Sequence, residues 1–261
     1  MENKRFQSEL SVGEILIQTF NLYSRNFVQY LIPFLAAGIV IGLVTIFVRS
    51  AVVIPIAPVH ATSQQLLAWF PIFLTATFLS IFLSGIVGWI ANGITAGITI
   101  KFTSDVLEKG QANLQTSFNF TLTRILSLLA AIVVTGVLIV LGFVALVVPG
   151  LILALMFSLV YPVIMLEGAG VLGSLSRSRF LVSNRWLKTL VLFLLLGIIV
   201  AIVSGVAGLI ASPFGIFSPL ISGILTAFIT PIIAIAMTLY YYSMKARTLP
   251  PPPPPPPAQT F

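Results

Sequence analysis

The chain has no cysteine and a single histidine, His60. Disulfides and thiolate metal sites are excluded, and redox compartment is unreadable. A metal site on His60 has no second histidine or cysteine to complete it, so the residue reads as a solvated loop side chain, and neither metal nor cofactor is expected. Charge is almost as scarce. Only 7% of the residues are charged, against about 25% in a soluble domain, while 58% are hydrophobic. Alternation of apolar and polar residues is also missing, which argues against a β-barrel. The apolar runs are long and lack charge, as membrane-crossing helices do. No short apolar core with a small-residue cleavage site follows Lys4-Arg5, so no cleavable signal peptide is expected.

The fold class expected is an all-α integral membrane protein. Six crossings are read at about 28–48, 70–100, 125–148, 151–166, 187–210 and 220–242. Three amphipathic segments lie between them, expected as cytoplasmic interfacial helices. The first opens at Ser11-Val12-Gly13-Glu14, a capping box. Val12, Leu16, Phe20, Tyr23 and Phe27 share one side of it, and Glu14, Gln18, Asn21 and Arg25 the other. The second falls in Lys101–Arg124, where Asp105 and Glu108 read as a solvated face. The third is Gly168–Lys188. Residues 1–10 are expected to be mobile, residues 11–247 to form the membrane domain, and residues 248–261 to form a proline-rich cytoplasmic tail. Eight prolines, Pro250–Pro257, read as a polyproline II rod, either a stiff spacer or a ligand for an aromatic-lined partner groove.

Within the crossings, Gly38 and Gly42 form a GxxxG step suited to close helix contact. The 31 residues of 70–100 span about 46 Å as a helix, more than the roughly 30 Å hydrocarbon core. One long helix is preferred over a break at Pro71 or Asn92-Gly93. Val148-Pro149-Gly150 reads as a type II turn closing a hairpin. Pro162 is expected to kink the fourth helix and Pro231 to interrupt the sixth, with Thr226 and Thr230 bonding to the groups set free. Tyr240-Tyr241-Tyr242 reads as an interfacial aromatic anchor. Asn92 is expected to bond to a neighbouring helix, and Glu167 to an interfacial arginine.

Net charge is +7, yet the cations flank apolar runs, which points to membrane topology and anionic lipid rather than nucleic acid. With six crossings, twelve of the thirteen Lys and Arg fall on the side of both termini, and only Arg49 on the other. Both termini are therefore expected in the cytoplasm, in the plasma membrane of a microbe. Arg25, Arg124, Arg177, Arg179, Arg185 and Lys188 are the candidate lipid-headgroup contacts. Gly13, Phe20 and Arg25 recur at the spacing of Gly173, Phe180 and Arg185, and Gly110, Phe118 and Arg124 fall at similar steps. This suggests three repeats of a surface helix plus two crossings, with three-fold pseudosymmetry about the membrane normal.

The Ser11-Val12-Gly13-Glu14 opening, Val148-Pro149-Gly150, Tyr161-Pro162…Glu167-Gly168, Ser174…Ser178…Asn184-Arg185-Trp186 and Pro231…Thr238-Leu239-Tyr240-Tyr241-Tyr242 together carry a resemblance. The chain resembles a family of uncharacterised six-helix membrane proteins that includes the membrane domain of some bacterial glycerophosphodiester phosphodiesterases. The resemblance implies the six-helix fold over residues 11–247. It implies no activity here, since the fused phosphodiesterase domain has no counterpart after Arg247. Ser243 also stands where the family carries an acidic residue. Hydrolysis needs a base, a metal or an activated nucleophile; none is visible, and no enzyme is expected. The function expected is a non-catalytic scaffold or accessory subunit contacting anionic lipids and a partner protein. A transporter or lipid-handling protein for an apolar or lipid substrate is the alternative.

Overall fold

The structure, a computed structural model, describes residues 9–56 and 62–248. His60 and the proline run lie outside the described residues. Those described form helices and no strand. They are α1 (Val12–Arg25), α2 (Phe27–Ala51), α3 (Ser63–Lys109), α4 (Leu114–Ala145), α5 (Val147–Met156), α6 (Val160–Glu167), α7 (Val171–Val182), α8 (Trp186–Ala211), α9 (Ser218–Thr226) and α10 (Pro231–Thr248). Five stretches are long and apolar enough to cross a membrane: α2, α3, α4, α5 with α6, and the run from α8 through α10. The last is folded back on itself, because a 3-10 turn at Ser212–Phe217 packs α9 against α8. The chain is a helical, multi-pass type of membrane protein.

Capping chemistry fixes several helix starts. Ser11 and Glu14 form the expected capping box: the Ser11 N–H donates to Glu14 at 2.7 Å, and the Glu14 N–H to the Ser11 hydroxyl at 3.2 Å. A second box, Thr62 with Gln65, starts α3 earlier than the apolar run suggests. The helix then passes through Pro71 and Asn92-Gly93 unbroken and ends at Lys109. At 47 residues it is about 70 Å long. The expected loop before residue 70 is thus shorter at its C-terminal end. The second surface segment is not a separate helix either: its first half completes α3, and its second half is the opening turns of α4, capped by Asn113.

The type II turn at residues 147–150 is not formed. Such a turn needs a positive φ at Gly150, and Gly150 has none. Instead α4 runs to Ala145, and Leu146 alone is extended. Pro149 then sits in the first turn of α5, where its missing N–H has no helical partner to lose. Gly150 lets the hairpin close: a Cβ there would lie 2.4 Å from the Phe143 ring.

Both proline sites break their helices one turn upstream, where the ring displaces the carbonyl four residues back. Pro162 separates α5 from α6 at Phe157–Leu159, and Pro231 separates α9 from α10. Each break is sealed by a side chain from another helix. Ser178 on α7 donates to Met156 O at 2.7 Å and accepts from the Leu159 N–H at 3.1 Å. Tyr23 on α1 donates to Phe228 O at 2.6 Å. Thr226 and Thr230 donate within their own helix segment, to Ser222 O and Thr226 O, rather than to Phe228 O.

Burial divides the molecule. One end is a dense layer made of α1, the start of α2, the C-terminal part of α3, the start of α4, α6, α7, the start of α8, and α10, with Tyr30, Phe102, Leu159, Leu181, Leu192, Ile235 and Met244 in its core. The remainder exposes apolar side chains broadly, and the most apolar stretch of α3 has no buried residue. In α1 the buried side chains are Ile15, Thr19, Leu22 and Tyr23. Phe20, expected on that face, is exposed beside Ile17. Of the N-terminal segment expected to be mobile, residues 1–8 lie outside the described residues, while Leu10 is buried and its N–H donates to the Ser243 hydroxyl at 2.9 Å.

The GxxxG step is a backbone seam. A Cβ on Gly38 would lie 2.5 Å from Gly223 O, and one on Gly42 2.5 Å from Leu220 Cα. Gly38→Ala is expected to destabilise by about 1–3 kcal/mol, the scale of overpacking, read as a lowered unfolding temperature in detergent. Gly85→Ala, whose Cβ meets nothing within 4 Å, should leave that temperature unchanged or higher.

Candidate functional site

The polar chemistry of the chain is concentrated in the dense layer, and α10 organises it. Successive residues on a helix point about 100° apart, so Tyr240, Tyr241 and Tyr242 face three different neighbours. The Tyr240 hydroxyl pairs with Thr189 on α8. The Tyr241 hydroxyl donates to Glu167 at the end of α6, at 2.8 Å. The Tyr242 hydroxyl donates to Glu108 on α3 and pairs with the Ser104 hydroxyl at 2.8 Å. Tyr240 and Tyr241 have no exposed surface. The reading of these residues as an interfacial anchor is therefore corrected: rings in an aromatic belt would face the headgroups, whereas these are interior struts.

The carboxylates are similarly engaged. Glu167 receives Arg177 Nε at 2.9 Å, which is the ion pair expected for it. Asp105 is buried, not on a solvated face, and lies between Lys101 at 3.0 Å and Lys109 at 2.6 Å. Glu9 lies between Arg185 at 2.8 Å and Lys188 at 2.6 Å, and Lys188 also donates to Leu10 O. Burial alone would raise the Glu9 pKa, but the bonds from Lys188 and Arg185 outweigh it and hold the group below its usual 4.5.

Four of the six candidate headgroup cations thus have protein partners. Arg177, Arg185 and Lys188 are in these pairs, and Arg124 donates to Ile164 O at 2.9 Å while lying over the Phe120 ring. Arg124 presses on Gly168, whose φ of +72° ends α6. Arg25 and Arg179 are exposed, with no acidic partner among the described residues. Asn92 does not bond to a neighbouring helix. It donates to Gly88 O of its own helix at 2.8 Å and lines a cavity instead.

Two cavities involve the apolar lengths of α2 and α3. One, of about 840 Å³, is an apolar groove between α2, α3 and the start of α4, walled by Pro33, Val40, Ile90, Ile94 and Phe118. The other, of about 460 Å³, is lined by Thr45 and Arg49 of α2, Asn92 of α3, Ser218, Ser222 and Thr226 of α9, and Thr230 beyond it. Among the described residues no three His, Asp or Glu side chains gather as a metal site would require. Sequence reasoning missed the tyrosine struts, Ser178 and Tyr23 as sealing groups, and the polar cavity. The serine and threonine spacing of four along 218–230 was the available signal for the last.

Comparison with family models, curated proteins and solved structures finds no match to this chain.

Tyr241→Phe would remove one donor from Glu167 Oε1, which keeps its bonds from Arg177, at a cost of about 1 kcal/mol. Its unfolding temperature should fall below that of wild type, and that of Glu167→Gln, which also loses the Arg177 ion pair, should fall further. The Glu9 cluster has a defined pH sign. Its folded pKa is depressed, so its contribution is present above about pH 4.5 and is lost as pH falls through the folded value. Thermal unfolding followed from pH 6 downward should show wild type converging on Glu9→Gln only in that acid range.

Proposed function

We propose that the chain is a non-catalytic membrane scaffold or accessory subunit that crosses the plasma membrane of a microbe six times, with both termini cytoplasmic. The single observation that carries this reading is the way the broken helices are sealed. In transporters, the backbone groups released by helix breaks face a cavity and bind the transported ion or solute. Here Ser178 takes Met156 O and the Leu159 N–H at the first break, and Tyr23 takes Phe228 O at the second, where Ala227 and Thr230 also line the polar cavity. The first break, and Phe228 O at the second, thereby belong to the packing between helices.

The six-crossing count follows from reading α5 with α6 as one broken span and α9 with α10 as another, folded against α8. The three-repeat reading has support in the sealing pattern. The break that ends the second unit is closed by α7 of the third, and the break that ends the third is closed by α1 of the first. A ring of three units would close in that manner. Arg25 and Arg179, exposed and unpaired with acids among the described residues, are the strongest headgroup contacts of the six candidates. The tail from Pro250 to Pro257 would reach a partner protein.

The apolar groove favours the second reading, a lipid-handling protein. It has only Thr95 and Gln115 as polar walls, which suits an acyl chain rather than a charged solute. Native mass spectrometry of protein gently extracted from its own membrane separates the two. The scaffold reading expects a co-purifying protein that is lost when residues 250–261 are deleted. A stoichiometric lipid with no partner would replace it with the lipid-handling reading.

A further inference from the structure

We infer that Arg49, Ser218 and Ser222 form a binding site for a phosphate group at the end of the bundle opposite the dense layer. The argument begins with charge. The sequence has six acidic residues, none between Glu14 and Asp105 and none after Glu167. Those described, Glu9, Glu14, Asp105, Glu108 and Glu167, all belong to the dense layer. Arg49 ends α2 at the far end, and no described carboxylate reaches it. Arginine stays protonated under all ordinary conditions, so its charge is permanent.

The surroundings make this charge part of a site rather than an isolated surface cation. Arg49 lines the polar cavity of about 460 Å³ together with side chains from α2, α3 and α9. Most of the other polar groups there are already used as donors. Thr45 donates to Ile41 O, Thr226 to Ser222 O, Thr230 to Thr226 O, and Asn92 to Gly88 O. Ser218 and Ser222 make no side-chain hydrogen bond among the described residues. They lie one turn apart on α9 and line the same cavity. A guanidinium with two uncommitted hydroxyls offers several donors and a positive charge, the complement of a phosphate. A lipid headgroup and a free phosphate share this chemistry. The site rests on this geometry alone and not on the scaffold reading.

The test uses the full chain in a non-ionic detergent, with bound ligand counted by native mass spectrometry. Three probes are compared: dioctanoyl phosphatidylglycerol, dioctanoylglycerol without the phosphate, and inorganic phosphate. Wild type is expected to retain the phospholipid and not the diacylglycerol. Arg49→Gln should weaken retention by about tenfold or more, the loss of a charge-assisted bond. Ser218→Ala/Ser222→Ala should weaken it less. Competition by inorganic phosphate assigns the site to a soluble ligand, and its failure to compete assigns it to a lipid headgroup. The inference is overturned if wild type retains no phosphate-bearing probe. It is equally overturned if folded Arg49→Gln and the double serine variant both bind as wild type does, or if diacylglycerol binds equally well.

Discussion

Three hydroxyl groups on consecutive residues of α10 hold the dense layer together. Hydrophobic contact between helices gains little inside lipid, because the solvent there is as apolar as the side chains. Directional bonds and close packing must set the arrangement instead. Tyr240, Tyr241 and Tyr242 reach α8, α6 and α3 from one turn of helix. Each bond is worth only about 1 kcal/mol net, more where a carboxylate accepts. Their effect lies in geometry: α10 cannot rotate or slide without breaking all three at once.

The same logic extends to the cations. A positive charge beside a membrane is commonly read as a lipid contact or a topology signal. In this chain most of them also perform internal work. Arg124 caps the end of α6, Arg247 reaches Ser183 O at 3.0 Å near the end of α7, and Arg185 and Lys188 clamp Glu9. Cations at helix C-termini also complement the partial negative charge there. One set of residues thereby serves both orientation and assembly, which accounts for a layer so dense in charge within a chain so poor in it.

Much of the architecture was legible in the sequence. The apolar runs, the Ser11–Glu14 cap, the Glu167–Arg177 pair and the glycine seam at Gly38 all follow from local spacing or simple chemistry. Helix boundaries were less legible where hydropathy and capping disagree. Thr62 and Gln65 start α3 before the apolar run begins, and α4 carries a polar opening straight into its apolar length. The tyrosines were misread because an aromatic cluster beside Lys245 and Arg247 has the composition of an interfacial belt. Only the positions of Thr189, Glu167 and Glu108, distant in sequence, distinguish a strut from an anchor. The cavity around Arg49 likewise depends on three helices meeting, which no local pattern encodes.

The length of α3 carries a consequence for the bilayer itself. Its uncharged part, residues 70–100, is about 46 Å long. Its last turns, from Gly93, are covered by neighbouring helices, so about 34 Å, residues 70–92, is left to lipid, and a tilt of about 30° fits that length to a hydrocarbon core of roughly 30 Å. Exposed residues such as Phe70, Phe78 and Phe82 then fall within the hydrocarbon without stretching it. A helix built this way leans within its bilayer, and its length serves the packing of the dense layer rather than the lipid.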